Sequence, residues 1–285
     1  MSDFKQVDLS KVISSVAAKV AENSRECEGD YYDDGLLHCG QCHTLKQSRQ
    51  INPFTHKEHI LPCICECEKA RRDEEYRRIE EEKEFLRVKR MRTELIADEE
   101  LRDWTFEKDD GRTPKMKAAH TYVEKWQEMY TENIGLLLYG DTSRGKTFFA
   151  ACVANALIDR GIPVLVTSFP KILDMLSSFK VDNNEFISSL NRYKLLVIDD
   201  LGVERQSEYA LEKIYSVIDN RYKSGKPMII TTNLPISEIK NPKDMSYKRI
   251  YERILENCVP MELDGPNRRQ QTGANKIQRA RELFK

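Results

Sequence analysis

The stretch that most constrains this 285-residue chain is YGDTSRGKTFF, residues 139–149. Gly140, Gly145, Lys146 and Thr147 satisfy the spacing G-x-x-x-x-G-K-[ST]. A loop of this kind holds phosphate because its backbone N–H groups point inward and the following helix adds the positive end of its dipole. It needs a strand before it and a helix after it, and both are legible. NIGLLLYG (133–140) is an apolar run that ends at a glycine, as a buried parallel strand does. KTFFAACVANALIDRG (146–161) has helical spacing and a terminal glycine. Gly140, Asp141, Thr142, Ser143, Arg144, Gly145, Lys146 and Thr147 are therefore the expected phosphate cradle. Lys146 is expected to reach the outer phosphates, and the Thr147 hydroxyl to bind Mg²⁺.

The alternation continues downstream. IPVLVTSF, YKLLVIDDLG and PMIITTNL read as strands; PKILDMLSSFK and SEYALEKIYSVIDNRYKSG read as helices. Strands alternating with helices predict an α/β fold whose parallel sheet is covered on both faces. LLVIDD is an apolar strand ending in two carboxylates: Asp199 is placed to hold magnesium, directly or through water, and Asp200 to orient the attacking water. Asn233 ends another buried strand, where α/β sheets bind ligands, and is suited to bond the water near a γ-phosphate. Without the upstream loop these residues would read as helix-capping aspartates and a turn asparagine.

The rest of the chain has a different composition. Six of the eight cysteines, Cys27, Cys39, Cys42, Cys63, Cys65 and Cys67, fall in the first quarter. No apolar run reaches the roughly 18 residues of a membrane helix, and residues 1–20 lack an apolar signal core, reading instead as a short amphipathic helix. A cytoplasmic protein with no membrane partner is expected, and in that compartment clustered cysteines hold metal more often than disulfides. Cys39, Cys42, Cys65 and Cys67 are the expected tetrahedral Zn²⁺ set, with Cys63 in reserve and His38, His43, His56 and His59 behind it. The metal would supply folding energy that so small a segment cannot draw from a core. Residues 68–100 lack Gly and Pro and are dominated by Glu, Arg and Lys, which predicts an exposed helix held by pairs such as Glu74 with Arg78. Three regions are thus expected: an N-terminal helix and zinc-binding module over 1–70, a charged helical linker over 71–100, and a nucleotide-binding domain with a basic tail over 101–285. With 46 basic and 47 acidic residues, net charge says nothing about nucleic acid, so a DNA surface must be local. The tail supplies a candidate, with Arg268, Arg269, Lys276, Arg279, Arg281 and Lys285 against one acid, Glu282.

The segments IGLLLYGD, GKTFFAACVANALI, LLVIDDLGVER, MIITTNL, RIYERILENC and GPNRR together resemble the AAA+ ATPases of the DnaC-type bacterial helicase loaders, relatives of DnaA and of the IstB transposition helper. The resemblance covers roughly the chain from 95 to 270. It implies an AAA+ P-loop NTPase domain that hydrolyses ATP, weakly alone and faster with partners. It also implies self-assembly through that domain and delivery of a hexameric replicative helicase onto single-stranded DNA. An arginine finger from a neighbouring subunit is implied within YKRIYERI, Arg253 first and Arg249 next; a sensor arginine in the pattern G-x-[SN]-x-R maps onto Gly265, Asn267 and Arg269. Loaders of this type often carry an N-terminal cysteine module whose closing motif resembles CICECEK. Two other functions stay open: an IstB-like ATPase helper of DNA transposition, and a nucleotide-gated adaptor with little hydrolysis.

One departure stands out. The family's loop usually reads G-x-x-G-T-G-K-T, whereas this chain has Ser143 in place of the inner glycine and Arg144 in place of the threonine. If position 143 needs a positive φ, serine costs about 1–3 kcal/mol of backbone strain, and reduced affinity or turnover is expected.

Overall fold

The structure is a computed structural model that describes residues 26–53, 56–113, 115–177, 182–202 and 207–284, with only the backbone described at 268, 269 and 271–275. The amphipathic helix expected at residues 1–20 lies outside the described residues. The chain divides into two compact units, residues 1–85 and 86–285.

In the first unit, β1 (Tyr31–Asp33) pairs antiparallel with β2 (Leu36–His38), and β3 (Gln47–Ile51) with β4 (Glu58–Pro62). Its described buried apolar residues are Leu37, Cys39 and Cys65. A core this small cannot outweigh chain entropy, so polar and covalent-type links must contribute. One such link is Asp30: its carboxylate accepts from Lys46 Nζ at 2.5 Å, from Cys27 N at 2.8 Å and from Gly40 N at 3.0 Å. The Lys46 ammonium, followed by the Cys27 N–H, holds the Asp30 carboxyl down to about 2. Helix α1 (Glu66–Leu95) follows and runs across the division between the units. Its exposed charges pair along the helix, and Glu74 meets Arg77 at 3.9 Å in place of the expected Arg78.

In the second unit, α2 (Glu99–Arg102), α3 (Met116–Glu124) and α4 (Trp126–Thr131) precede β5 (Gly135–Tyr139). Then come α5 (Lys146–Asp159), β6 (Val164–Ser168), α6 (Phe169–Leu176), α7 (Asn183–Ser189), β7 (Leu195–Leu201), α8 (Glu208–Lys223) and β8 (Met228–Thr232). The chain closes with α9 (Ile236–Lys240), α10 (Met245–Asn257), β9 (Cys258–Glu262) and α11 (Arg268–Leu283). The five strands from β5 to β9 form one parallel sheet in the order β6-β7-β8-β5-β9.

Side chains alternate across the sheet with the strand period of two. Leu136, Leu138, Val197 and Ile229 face a layer that includes Phe149, Val153 and Leu157 of α5 and Tyr122 of α3. Leu137, Leu196, Ile198 and Ile230 face the other, with Ile172, Ile214, Ile218, Ile250 and Ile254 from α6, α8 and α10. Each such side chain removed from water contributes about 1.5–3 kcal/mol. Two buried polar residues hold the loops onto this core. Arg221 is 1% exposed and donates to the carbonyls of Tyr193, Lys194 and Pro227 at 3.0, 3.0 and 2.6 Å, tying together the entries of β7 and β8. Burial without an acid partner draws its guanidinium down to about 10. Asn155 Nδ2 donates to Leu101 O at 2.8 Å and Trp104 O at 2.9 Å, fixing the segment after α2 onto α5.

Strand β9 escapes a sequence reading, because Val259 is half exposed and Pro260 breaks the expected pattern. Proline lacks the N–H a central ladder needs and is tolerated at a sheet edge. β9 is such an edge strand, lying beside β5 with Tyr139 opposite Glu262.

Candidate nucleotide-binding site

The loop after β5 turns through three left-handed residues. Gly140 has φ 133°, and a Cβ there would lie 2.5 Å from Leu263 O, so only glycine fits. Ser143 has φ 63°, which meets the condition set by the sequence: a serine stands in backbone territory that favours glycine. Gly145, φ 93°, opens α5 against the buried side chain of Thr113.

Lys146 is 5% exposed, and its ammonium donates to Gly140 O at 2.8 Å, Asp141 O at 2.7 Å and Asn233 Oδ1 at 2.7 Å. Burial lowers its pKa, opposed by the charges of Asp200, Asp199 and Asp141. Arg144 turns away from the loop interior: Nη1 donates to Gly265 O at 2.6 Å and Nη2 to Asp141 Oδ2 at 3.2 Å. Asp141 and Thr142 are exposed.

Thr147 Oγ1 donates to Asp199 Oδ1 and Oδ2 at 3.1 and 3.2 Å. That spacing suits two oxygens of an octahedral Mg²⁺ site, whose neighbouring ligands would stand about 3.0 Å apart at metal–oxygen distances near 2.1 Å. Thr231, buried on β8, donates to Asp199 Oδ1 and accepts from Asp200 N at 3.0 Å. Nothing in the sequence reading singled out Thr231; a polar residue inside an apolar strand beside the paired aspartates was the available signal. The β7–β8 register shifts between Ile198 and Leu201, and Asp200 has φ 60°. The strand therefore bulges at the two carboxylates, which re-aims Asp200 relative to Asp199. Burial pushes the Asp199 pKa up, while hydrogen bonds from Thr231 and Thr147 oppose the shift. Lys146, Thr147, Asp199 and Asn233, drawn from α5, β7 and the end of β8, thus meet at one end of the sheet.

The arginines separate. Arg253 on α10 pairs with Asp219 at 2.8 Å and lies over the rings of Tyr215 and Tyr222, so it is committed to α8 of its own fold. Arg249, one turn earlier, is exposed and makes no ion pair among the described residues. Arg269 is the second residue of α11, and its side chain lies outside the described ones. Asn267 caps that helix, its Oδ1 accepting from Gln270 N at 3.1 Å. In the basic tail, Lys276, Arg279 and Arg281 are exposed, with Arg279 paired to Glu282 at 3.1 Å.

In the first unit, the Sγ atoms of Cys39, Cys42, Cys65 and Cys67 lie within 4.8 Å of one another, with Cys67 at 3.5 Å from Cys39 and 3.4 Å from Cys65. Four thiolates around zinc at about 2.3 Å stand about 3.8 Å apart, so the four fit one tetrahedral ion. The first pair sits on a tight turn, with Cys39 N donating to Thr44 O and His43 N to Cys39 O, both at 2.9 Å. Cys63 is outside the cluster; its thiol donates to Leu45 O at 3.3 Å. None of His38, His43, His56 and His59 belongs to it. Among the described residues no helix is long and apolar enough to cross a membrane.

The chain is 26% identical over 190 residues to the replicative helicase loader DnaI of Bacillus subtilis, and 29% identical over 152 residues to the replicative helicase loader DnaC of Escherichia coli K12. These matches cover 61% and 52% of this chain, and 61% and 58% of the two relatives' own lengths. A crystal structure of DnaI superposes on 62% of this chain and 98% of its own, with TM-score 0.52 and 24% identity. The fold is therefore the α/β AAA+ P-loop fold, with its parallel sheet, that the sequence led us to expect. The model for IstB-like ATP-binding proteins matches residues 43–275, most of the sequence and the whole of the described phosphate site, and the chain belongs to that family.

Proposed function

We propose that this protein is an ATP-dependent loader of a hexameric replicative helicase onto single-stranded DNA. The single observation that carries the reading is the hydrogen-bonded meeting of Lys146, Thr147, Asp199 and Asn233 behind a left-handed phosphate loop, in a chain whose relatives are named as helicase loaders. ATP and Mg²⁺, when bound, would supply the transferable phosphoryl group and positive charge to offset the negative charge that develops on it. Lys146, which donates to the carbonyls of Gly140 and Asp141, would hold the outer phosphate oxygens by charge-assisted bonds. Thr147 and Asp199 would hold the metal, Asp200 would orient the attacking water, and Asn233, which accepts from Lys146, would steady that lysine and the water. The arginine supplied to a neighbouring subunit is assigned to Arg249, since Arg253 is held by Asp219. Arg269 is the sensor arginine, and the basic face of α11 contacts DNA phosphates. Cys39, Cys42, Cys65 and Cys67 hold one Zn²⁺, which supports the module assigned to helicase contact.

The test is copurification with the replicative helicase of the host, with ATP turnover measured alone and with helicase and single-stranded DNA. A stable complex and turnover that rises with both partners are expected, and Lys146→Ala should abolish nucleotide binding. Absence of a complex, with turnover stimulated by duplex DNA instead, would favour the transposition-helper reading that the family's IstB description keeps open.

A further inference from the structure

Arg144 is the only long side chain in residues 141–145, and it is spent on a contact 121 residues away. The end of β9 is held beside the start of the phosphate loop by contacts from the end of β5 and from the residue before α3. Leu263 N donates to Tyr139 O at 2.9 Å, Lys115 Nζ donates to Glu262 O at 2.6 Å, and Leu263 O abuts Gly140. All of these stop at Leu263. Beyond it, residues 264–267 are neither strand nor helix until α11 begins at Arg268. The bond from Arg144 Nη1 to Gly265 O reaches into that connection, and Asp141 holds the second nitrogen of the same guanidinium, fixing the direction of the fork.

We propose that Arg144 is a positioning residue: by binding Gly265 O it fixes the start of α11, and with it Arg269, against the phosphate loop. The inference rests on the reading of Arg269 as the arginine that senses the nucleotide. The geometry explains why arginine suits this position. One planar group bonds the loop's own Asp141 and the incoming connection together, which the point charge of lysine cannot reproduce in a fixed orientation. A rigid loop, once it has closed on phosphate, then carries α11 as part of the same body.

The experiment uses the full chain and the variants Arg144→Ala and Arg144→Lys. Amide hydrogen exchange across residues 264–270 should speed up at least about tenfold in Arg144→Ala and by less in Arg144→Lys, with β5 and β7 unchanged. ATP turnover should fall about tenfold while the nucleotide Kd, from a fluorescent-ATP titration, stays within about threefold. In an Arg269→Ala background, Arg144→Ala should lower turnover no further, because one residue acts through the other. Unchanged exchange over 264–270 overturns the proposal. A Kd that rises in step with the loss of turnover overturns it too, since Arg144 would then be a nucleotide ligand. A wild-type protein that binds no nucleotide would sink the functional reading instead, and the exchange measurement would still decide the anchor.

Discussion

Thr147 Oγ1 and the carboxylate of Asp199 lie in hydrogen-bond contact, joining the first turn of α5 to the end of β7 across 52 residues. Burial raises the Asp199 pKa above the ordinary carboxylate range. A metal ligand must be ionised, so protonation removes it, and a raised pKa moves that loss to higher pH. The Mg²⁺-dependent part of nucleotide affinity should therefore decline on acidification before an ordinary aspartate would titrate. Thr231→Val removes a hydrogen bond that favours the ionised form and should shift the decline to still higher pH. Fluorescent-nucleotide titrations between about pH 8 and 5, with Mg²⁺ and with EDTA, measure this; a pH-independent Mg²⁺ effect contradicts it.

Ser143 adopts φ 63°, a backbone conformation that strains serine and suits glycine. Relief of about 1–3 kcal/mol, less about 0.5–1 for the freer unfolded glycine chain, should appear in stability. Ser143→Gly is expected to stabilise the protein by about 1 kcal/mol in urea or thermal unfolding, and a fluorescent-nucleotide titration of the same variant should show tighter binding. A destabilised Ser143→Gly protein would show that serine is comfortable there.

The thiols divide into four that converge and Cys63, which bonds Leu45 O. Metal analysis should find one zinc per chain. Cys39→Ser should lose it and unfold the first unit, because its few buried apolar residues cannot hold it. Cys63→Ser should keep it. Equal zinc loss in both variants would place Cys63 among the ligands.

Arg249 and Arg253 should behave oppositely. Arg253→Ala removes a half-buried ion pair and a ring contact, and should destabilise the fold by about 1–2 kcal/mol. Arg249→Ala should leave stability within about 0.5 kcal/mol, as exposed sites do. Its assembled turnover should nonetheless drop by about a hundredfold or more, the scale of a lost trans-acting arginine. A stability loss at Arg249 with turnover intact would remove it from the interface.

The sequence by itself determined what local pattern can determine. The spacing from Gly140 to Thr147 defined a loop between a strand and a helix, and the apolar runs at 195–198 and 228–230 became buried strands because they are too short for a helix and are rich in branched residues. It also marked Ser143 as an anomaly, since the phosphate loop's backbone demands are local. β9 stayed hidden, because an edge strand buries little and Pro260 is permitted there. The tertiary structure alone decided which distant groups meet. It brought Thr231 to Asp199, Asn233 to Lys146, Arg144 to Gly265 and Arg253 to Asp219, and it selected four thiols from five. Periodicity tells which face a residue occupies but not which strand lies beside it, and the order β6-β7-β8-β5-β9 is what sets Thr231 beside Asp199 and Asn233 beside Lys146.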